Sequence, residues 1–178
     1  MRSYLSEHKE IVSNLLDGKF IIYPSPLFVV LQQEEYADDY KEFFKESYGY
    51  ELNIDTEFAY LSSNEVNEKR TRDFVLFLAI LCRELDYSGK DFKDTIDLGS
   101  FDISETEQLL KQSSKWEILE KTSVSEFEKF IGTWSSKNVL KRTGNQFKFT
   151  KAVKLFFEFA VNISNAKLKE ENNVFNNI

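Results

Sequence analysis

Twice along this chain, amphipathic helical patterns run into a strand–turn–strand pattern, and that repeated order constrains the fold more than any single motif. In the first pass, Tyr4, Leu5, His8, Ile11, Val12, Leu15 and Leu16 recur at spacings of three and four and predict a helix over 4–16, with Gly18 placed to end it. Phe20, Ile21 and Ile22 are β-prone and predict a short strand before Pro24 and Pro26. Ser25 or Pro26 opens the next helical stretch over 26–48, read as one helix or two and closed by Gly49. Residues 50–54 alternate apolar and polar, Asp55-Thr56-Glu57 makes a turn, and 58–61 form the return strand.

The second pass has the same order. An apolar helix is predicted over 66–86, and a further helix is capped by Asp102 or by Ser104, with Ser104 and Glu107 spaced as a capping box. Phe127, Phe130, Ile131 and Trp134 line one face of a helix over 123–136 that starts at Ser123 or Ser125. A second hairpin follows over 139–150, turning at Thr143-Gly144-Asn145, and a last helix runs from 150 to about 163. Six glycines and two prolines are too few for a turn-rich barrel or sandwich, and seventeen Phe with eight Tyr supply a core of rings. The expected fold is therefore α+β and mostly helical, with tandem winged-helix units that each carry a β-hairpin wing. The expected division is 1–64 for the first unit, 65–163 for the second, and 164–178 for a flexible, asparagine-rich tail.

Charge separates these units. The net charge is −7, and residues 34–57 alone hold nine acids against two lysines. Residues 137–154 hold six bases and no acid: Lys137, Lys141, Arg142, Lys148, Lys151 and Lys154. An acidic chain is not a general nucleic-acid binder, yet screening confines each charge to about 10 Å, so a local basic strip can still hold phosphates. The longest apolar run, 74–82, is nine residues, against about 20 for a membrane span. With a single cysteine and a polar, charged N-terminus, the chain is expected in the reducing cytoplasm, without membrane contact.

Catalytic chemistry finds no foothold. His8 is the only histidine and keeps register with the apolar face of its helix, so it reads as structural, and one histidine makes no usual metal site. Cys82 lies in the most apolar helix, far from the positive, accessible setting that a thiolate needs. The phosphate-cradling patterns G-x-x-x-x-G-K-[ST] and G-x-G-x-x-G are both absent from the sequence. Acid pairs such as Glu34-Glu35 and Asp38-Asp39 fall on a solvated helix face. No cofactor is implied, and the chain is not read as an enzyme.

Several stretches resemble the MukE/MksE accessory subunits of bacterial SMC condensin complexes. They are Gly18-Lys19-Phe20-Ile21, the aromatics Phe43, Phe44 and Tyr48 before Gly49-Tyr50-Glu51-Leu52, the strand 58–61, Ile80-Leu81-Cys82, and Gln146-Phe147-Lys148-Phe149-Thr150 with Val153 and Phe156. Their order and spacing carry the resemblance over roughly 18–162. It implies a small, non-catalytic, tandem winged-helix scaffold that forms a homodimer. Such a subunit clamps a MukF/MksF-like kleisin and serves a MukB/MksB-like SMC ATPase in chromosome condensation and segregation on the nucleoid. One departure matters: where the family has an arginine-rich helix before the second hairpin, this chain reads Gly132-Thr133-Trp134-Ser135-Ser136-Lys137.

That departure moves the expected DNA contact, weak and non-specific, to the six bases of 137–154, where a wing would meet backbone phosphates. Kleisin or dimer contacts are expected among Trp134, Phe156, Phe157 and Phe159. The last three cannot share one helical face, so at least one should meet something outside its own unit. The competing reading is a stand-alone winged-helix transcription regulator, which the missing basic recognition helix disfavours.

Overall fold

The computed structural model describes residues 6–62 and 68–157. The first stretch runs α1 (His8–Leu16), β1 (Ile21–Ile22), α2 (Pro26–Leu31), α3 (Glu34–Tyr48), β2 (Glu51–Ile54) and β3 (Phe58–Ser62). The second runs α4 (Glu68–Tyr87), α5 (Phe92–Leu98), β4 (Phe101–Asp102), α6 (Ile103–Gln112), α7 (Trp116–Leu119), a 3₁₀ turn at Ser123–Ser125, α8 (Phe127–Ser136), β5 (Leu140–Thr143) and β6 (Gln146–Phe149). Each stretch closes one three-stranded antiparallel sheet, in the orders β1-β3-β2 and β4-β6-β5. In both, a two-residue strand set between helices pairs with the return strand of the hairpin. The fold is α+β and mostly helical, a winged-helix arrangement made twice.

Local chemistry sets the element ends. Ser25 caps α2 by accepting from the Phe28 N–H at 3.3 Å, with Pro26 in the first turn. The 26–48 stretch is two helices, because Gln33 is extended and lets α3 turn its Ala37–Tyr40–Phe44 stripe onto the core that Phe28 and Leu31 enter. Gly49 ends α3 in the left-handed conformation, φ +69°. The helix expected over 123–136 is broken at Glu126, leaving Ser123 in the 3₁₀ turn. There the Ser123 N–H and hydroxyl both donate to the buried Asp73 carboxylate, at 3.0 and 2.8 Å, tying the turn to α4.

The elements that periodicity did not announce are α5, β4 and α7. Between α5 and β4 the chain leaves the helix so tightly that a side chain at Gly99 would collide with the Thr95 carbonyl. Of the two candidate caps for α6, Asp102 takes the role. Its carboxylate accepts from the Ser104 and Glu105 N–H groups at 2.9 and 3.1 Å. Residues 153–157 are helical, but at 150–152, where the last helix was expected to begin, the chain makes a turn; the rest of that helix from 158, the tail, and Tyr4 and Leu5 of the first helix lie outside the described residues.

Among the described residues the buried apolar side chains form two clusters, and these do not divide at one point of the sequence. Ile11, Leu15, Phe28, Leu31, Tyr40 and Phe44 belong to the first. Phe74, Phe77, Leu81, Phe130, Phe147 and Phe156 belong to the second, and Phe20 and Phe58 join them from the first stretch. Phe20 stacks on Tyr60 at 5.4 Å between ring centroids and approaches Phe156 at 6.2 Å. Its backbone continues the contact: the Phe20 N–H donates to the Lys137 carbonyl at 2.9 Å, and the Asn138 side-chain amide donates to the Phe20 carbonyl at 2.8 Å. Asn138 holds φ +62°, a conformation asparagine tolerates better than most residues.

Phe20 therefore packs in one core while its neighbour Ile21 packs in the other. Phe20→Ala should cost about 3–5 kcal/mol, as for a ring truncated inside a packed core. Urea unfolding monitored by circular dichroism measures it. A cost below about 1 kcal/mol would show that the ring does not join the clusters.

Candidate functional site

In a winged helix the helix before the hairpin is the one that enters a DNA groove. In the first unit that helix is α3, whose exposed side chains include Glu34, Glu35, Asp38, Glu42 and Glu46, a face that repels phosphate. In the second unit it is α8. Its apolar side, Phe127, Phe130, Ile131 and Trp134, is buried, and its one lysine, Lys129, is paired to Glu126 at 2.9 Å. Neither helix presents a basic reading surface.

The six bases of 137–154 do not form one free strip. Lys137 donates to the Asp17 carbonyl. Arg142 is paired to Glu128 at 2.7 Å, and its Nε–H donates to the Gly144 carbonyl at 3.0 Å. Lys151 and Lys154 both face the Glu57 carboxylate, Lys151 at 4.0 Å. Lys141 and Lys148 are the pair left facing solvent, directly opposite each other on β5 and β6. Like charges placed opposite on a sheet repel, so an anion between them relieves the strain. They line a shallow cavity of about 310 Å³ with Ser100, Thr143 and Gln146.

The aromatic candidates separate in the same way. Trp134 and Phe156 are 9% and 3% exposed, with centroids 5.3 Å apart, and both pack against Phe74 at 4.3 and 4.6 Å. Their rings fill the second core, so no partner reaches those faces. Phe156 does meet a residue outside its own unit, Phe20. Phe157 is half-buried against the same core, and Phe159 lies outside the described residues.

A cleft that sequence periodicity could not announce lies where the two units meet. It measures about 720 Å³ and is lined by Glu10, Asn14 and Ile22 on one wall and by Ser135, Leu140 and Lys141 on the other. Phe20 and Asn138 of the seam also line it. The Ser135 hydroxyl is buried there without a hydrogen-bond partner. Nothing in the local pattern around Ser135 marks it, because its setting is made by an element more than a hundred residues earlier.

The remaining reactive groups are structural. His8 stacks on Tyr40 with centroids 5.6 Å apart, its Nδ1 lying 3.3 Å from the Tyr40 hydroxyl. Burial pushes the Cys82 thiol up to about 12, with the Asp86 charge adding to the shift. Among the described residues no group of three or more His, Cys, Asp or Glu could hold a metal ion, and no helix is long and apolar enough to cross a membrane.

Comparison with known proteins gives a family. The sequence profile described as condensin complex protein MksE matches residues 6–161. Among solved structures, a chain of an Nse1-Nse3-Nse4 complex aligns with a TM-score of 0.42 at 9% identity, covering 85% of this chain and 71% of that one. That likeness is too loose to bear on function. No curated relative matches the chain.

With its thiol near 12, Cys82 should resist alkylation in the native protein through pH 9, while the urea-unfolded chain reacts readily, its thiol near ~8.5. Mass spectrometry after iodoacetamide treatment reads the difference. Equal rates in the two states would contradict the burial argument.

Proposed function

The chain belongs to the MksE family of condensin complex proteins, and on that premise we propose that it is the non-catalytic scaffold subunit that holds the kleisin of an SMC complex. In this role it supports chromosome condensation and segregation in the cytoplasm, at the nucleoid, as a homodimer. ATP hydrolysis falls to the SMC ATPase. The observation that carries the reading is the cleft over the Phe20–Asn138 seam. It is lined by apolar Phe20, Ile22, Leu27 and Leu140 and by polar Asn14 and Asn138, with an acid at Glu10 and bases at Lys141 and Arg142. Those are the requirements of an extended polypeptide, which brings apolar side chains and backbone groups together. The units 1–64 and 65–163 then act as the two walls of one holder.

DNA contact is secondary in this reading. The acidic face of α3 and the paired Lys129 of α8 disfavour a sequence-reading regulator. Lys141 and Lys148 support a weak contact with duplex phosphates, which positions a backbone without reading bases.

Both parts can be tested on the full-length chain. Glu10→Trp narrows the cleft from an exposed position and should weaken capture of the kleisin by about ten-fold or more, equal to ~1.4 kcal/mol, with little change in thermal stability. Capture is measured by co-purification with the kleisin and SMC proteins of the same host. Full capture by a folded variant would remove the cleft from the account. Reversing Lys141 and Lys148 to Glu should abolish salt-sensitive duplex binding in an anisotropy titration, and unchanged binding would refute the wing contact.

A further inference from the structure

We propose that Lys151 and Lys154 form a second phosphate-binding pair, which Glu57 keeps closed from within the chain. The inference rests on the reading that this surface meets duplex phosphates, and it adds a control on that contact.

Glu57 comes from the other unit. It follows the turn at Asp55-Thr56, immediately before β3, and its backbone is fixed on both sides. The Glu57 carbonyl accepts from the Tyr23 N–H at 2.9 Å, and the next residue, Phe58, is in the core. The side chain then reaches across the units so that one carboxylate oxygen faces each lysine: Oε1 lies 4.0 Å from Lys151 Nζ, and Oε2 accepts from Lys154 Nζ. A carboxylate places two anionic oxygens as the non-bridging oxygens of a phosphodiester do. Glu57 occupies the position that a backbone phosphate would take.

The contact is open to exchange. The Glu57 side chain is 29% exposed, and those of Lys151 and Lys154 are 46% and 48% exposed. An ion pair this accessible is screened by salt and holds weakly. A duplex presents many phosphates and gains counterion release for each one neutralised, so it can displace a single carboxylate. The Glu57 hydrogen bond holds the Lys154 ammonium above its ordinary range, and Asp97 and Asp55 add at longer reach.

The experiment is a duplex DNA titration of full-length wild type and Glu57→Gln over a range of salt concentrations. Glutamine is isosteric and leaves the backbone bond to Tyr23 in place, and a thermal melt verifies folding. With two more cations free, the slope of log K against log salt should steepen by about 1.8 in Glu57→Gln, and affinity at low salt should rise by roughly ten-fold or more. Adding Lys151→Gln and Lys154→Gln to Glu57→Gln should return the slope to the wild-type value. An unchanged slope in Glu57→Gln overturns the proposal, as does a steeper slope that survives removal of both lysines. Reversal of Lys141 and Lys148 reports on the underlying DNA reading separately, because it can leave binding intact while Glu57→Gln still steepens the slope. Should wild type bind no duplex, binding gained by Glu57→Gln supports the lock, and none gained overturns it.

Discussion

The seam at Phe20 is the contact on which the rest of the molecule depends. Two small winged-helix units joined only by a linker would be free to move against each other. Here Phe20 sets its ring in the second core, exchanges backbone contacts with Lys137 and Asn138, and is followed by Ile21, which packs in the first core. The seam fixes where β1 stands relative to β5. It thereby makes the cleft above it and brings Glu57 within reach of Lys151 and Lys154. A local aromatic contact thus sets the shape of the cleft.

Electrostatics follow from the same geometry. Acids concentrated in the first unit and bases in the second attract across the seam at Glu57, and Lys137 adds a hydrogen bond to the backbone carbonyl of Asp17. Within the second unit, Glu128 takes Arg142. The formal count of six bases over 137–154 overstates the positive surface presented to a ligand, which narrows to Lys141 and Lys148.

How much was legible in the sequence depends on the length of each pattern. Both hairpins and the helices α1, α3, α4 and α8 repeat a spacing often enough to read, and the order they make is the tandem winged-helix fold. β4 is two residues long, too short to show a period, and Asp102 was visible only as one of two candidate caps. The basic strip was legible as composition but not as surface, because its partners Glu57 and Asp17 lie far away in sequence. Trp134 and Phe156 illustrate the same limit. Aromatic residues on a helix near a family's partner path look exposed or buried only once Phe74 is known to lie beneath them.

The account therefore turns on whether the two units behave as one body, and the Phe20 amide reports it most directly. Its N–H donates across the seam to Lys137, so native-state hydrogen exchange measures the free energy of opening that contact. The account predicts that this amide is protected to the same degree as the core amides of Phe74 and Phe77 in α4. Exchange at the rate of an exposed loop, with α4 still protected, would show two units that move independently and would contradict the account.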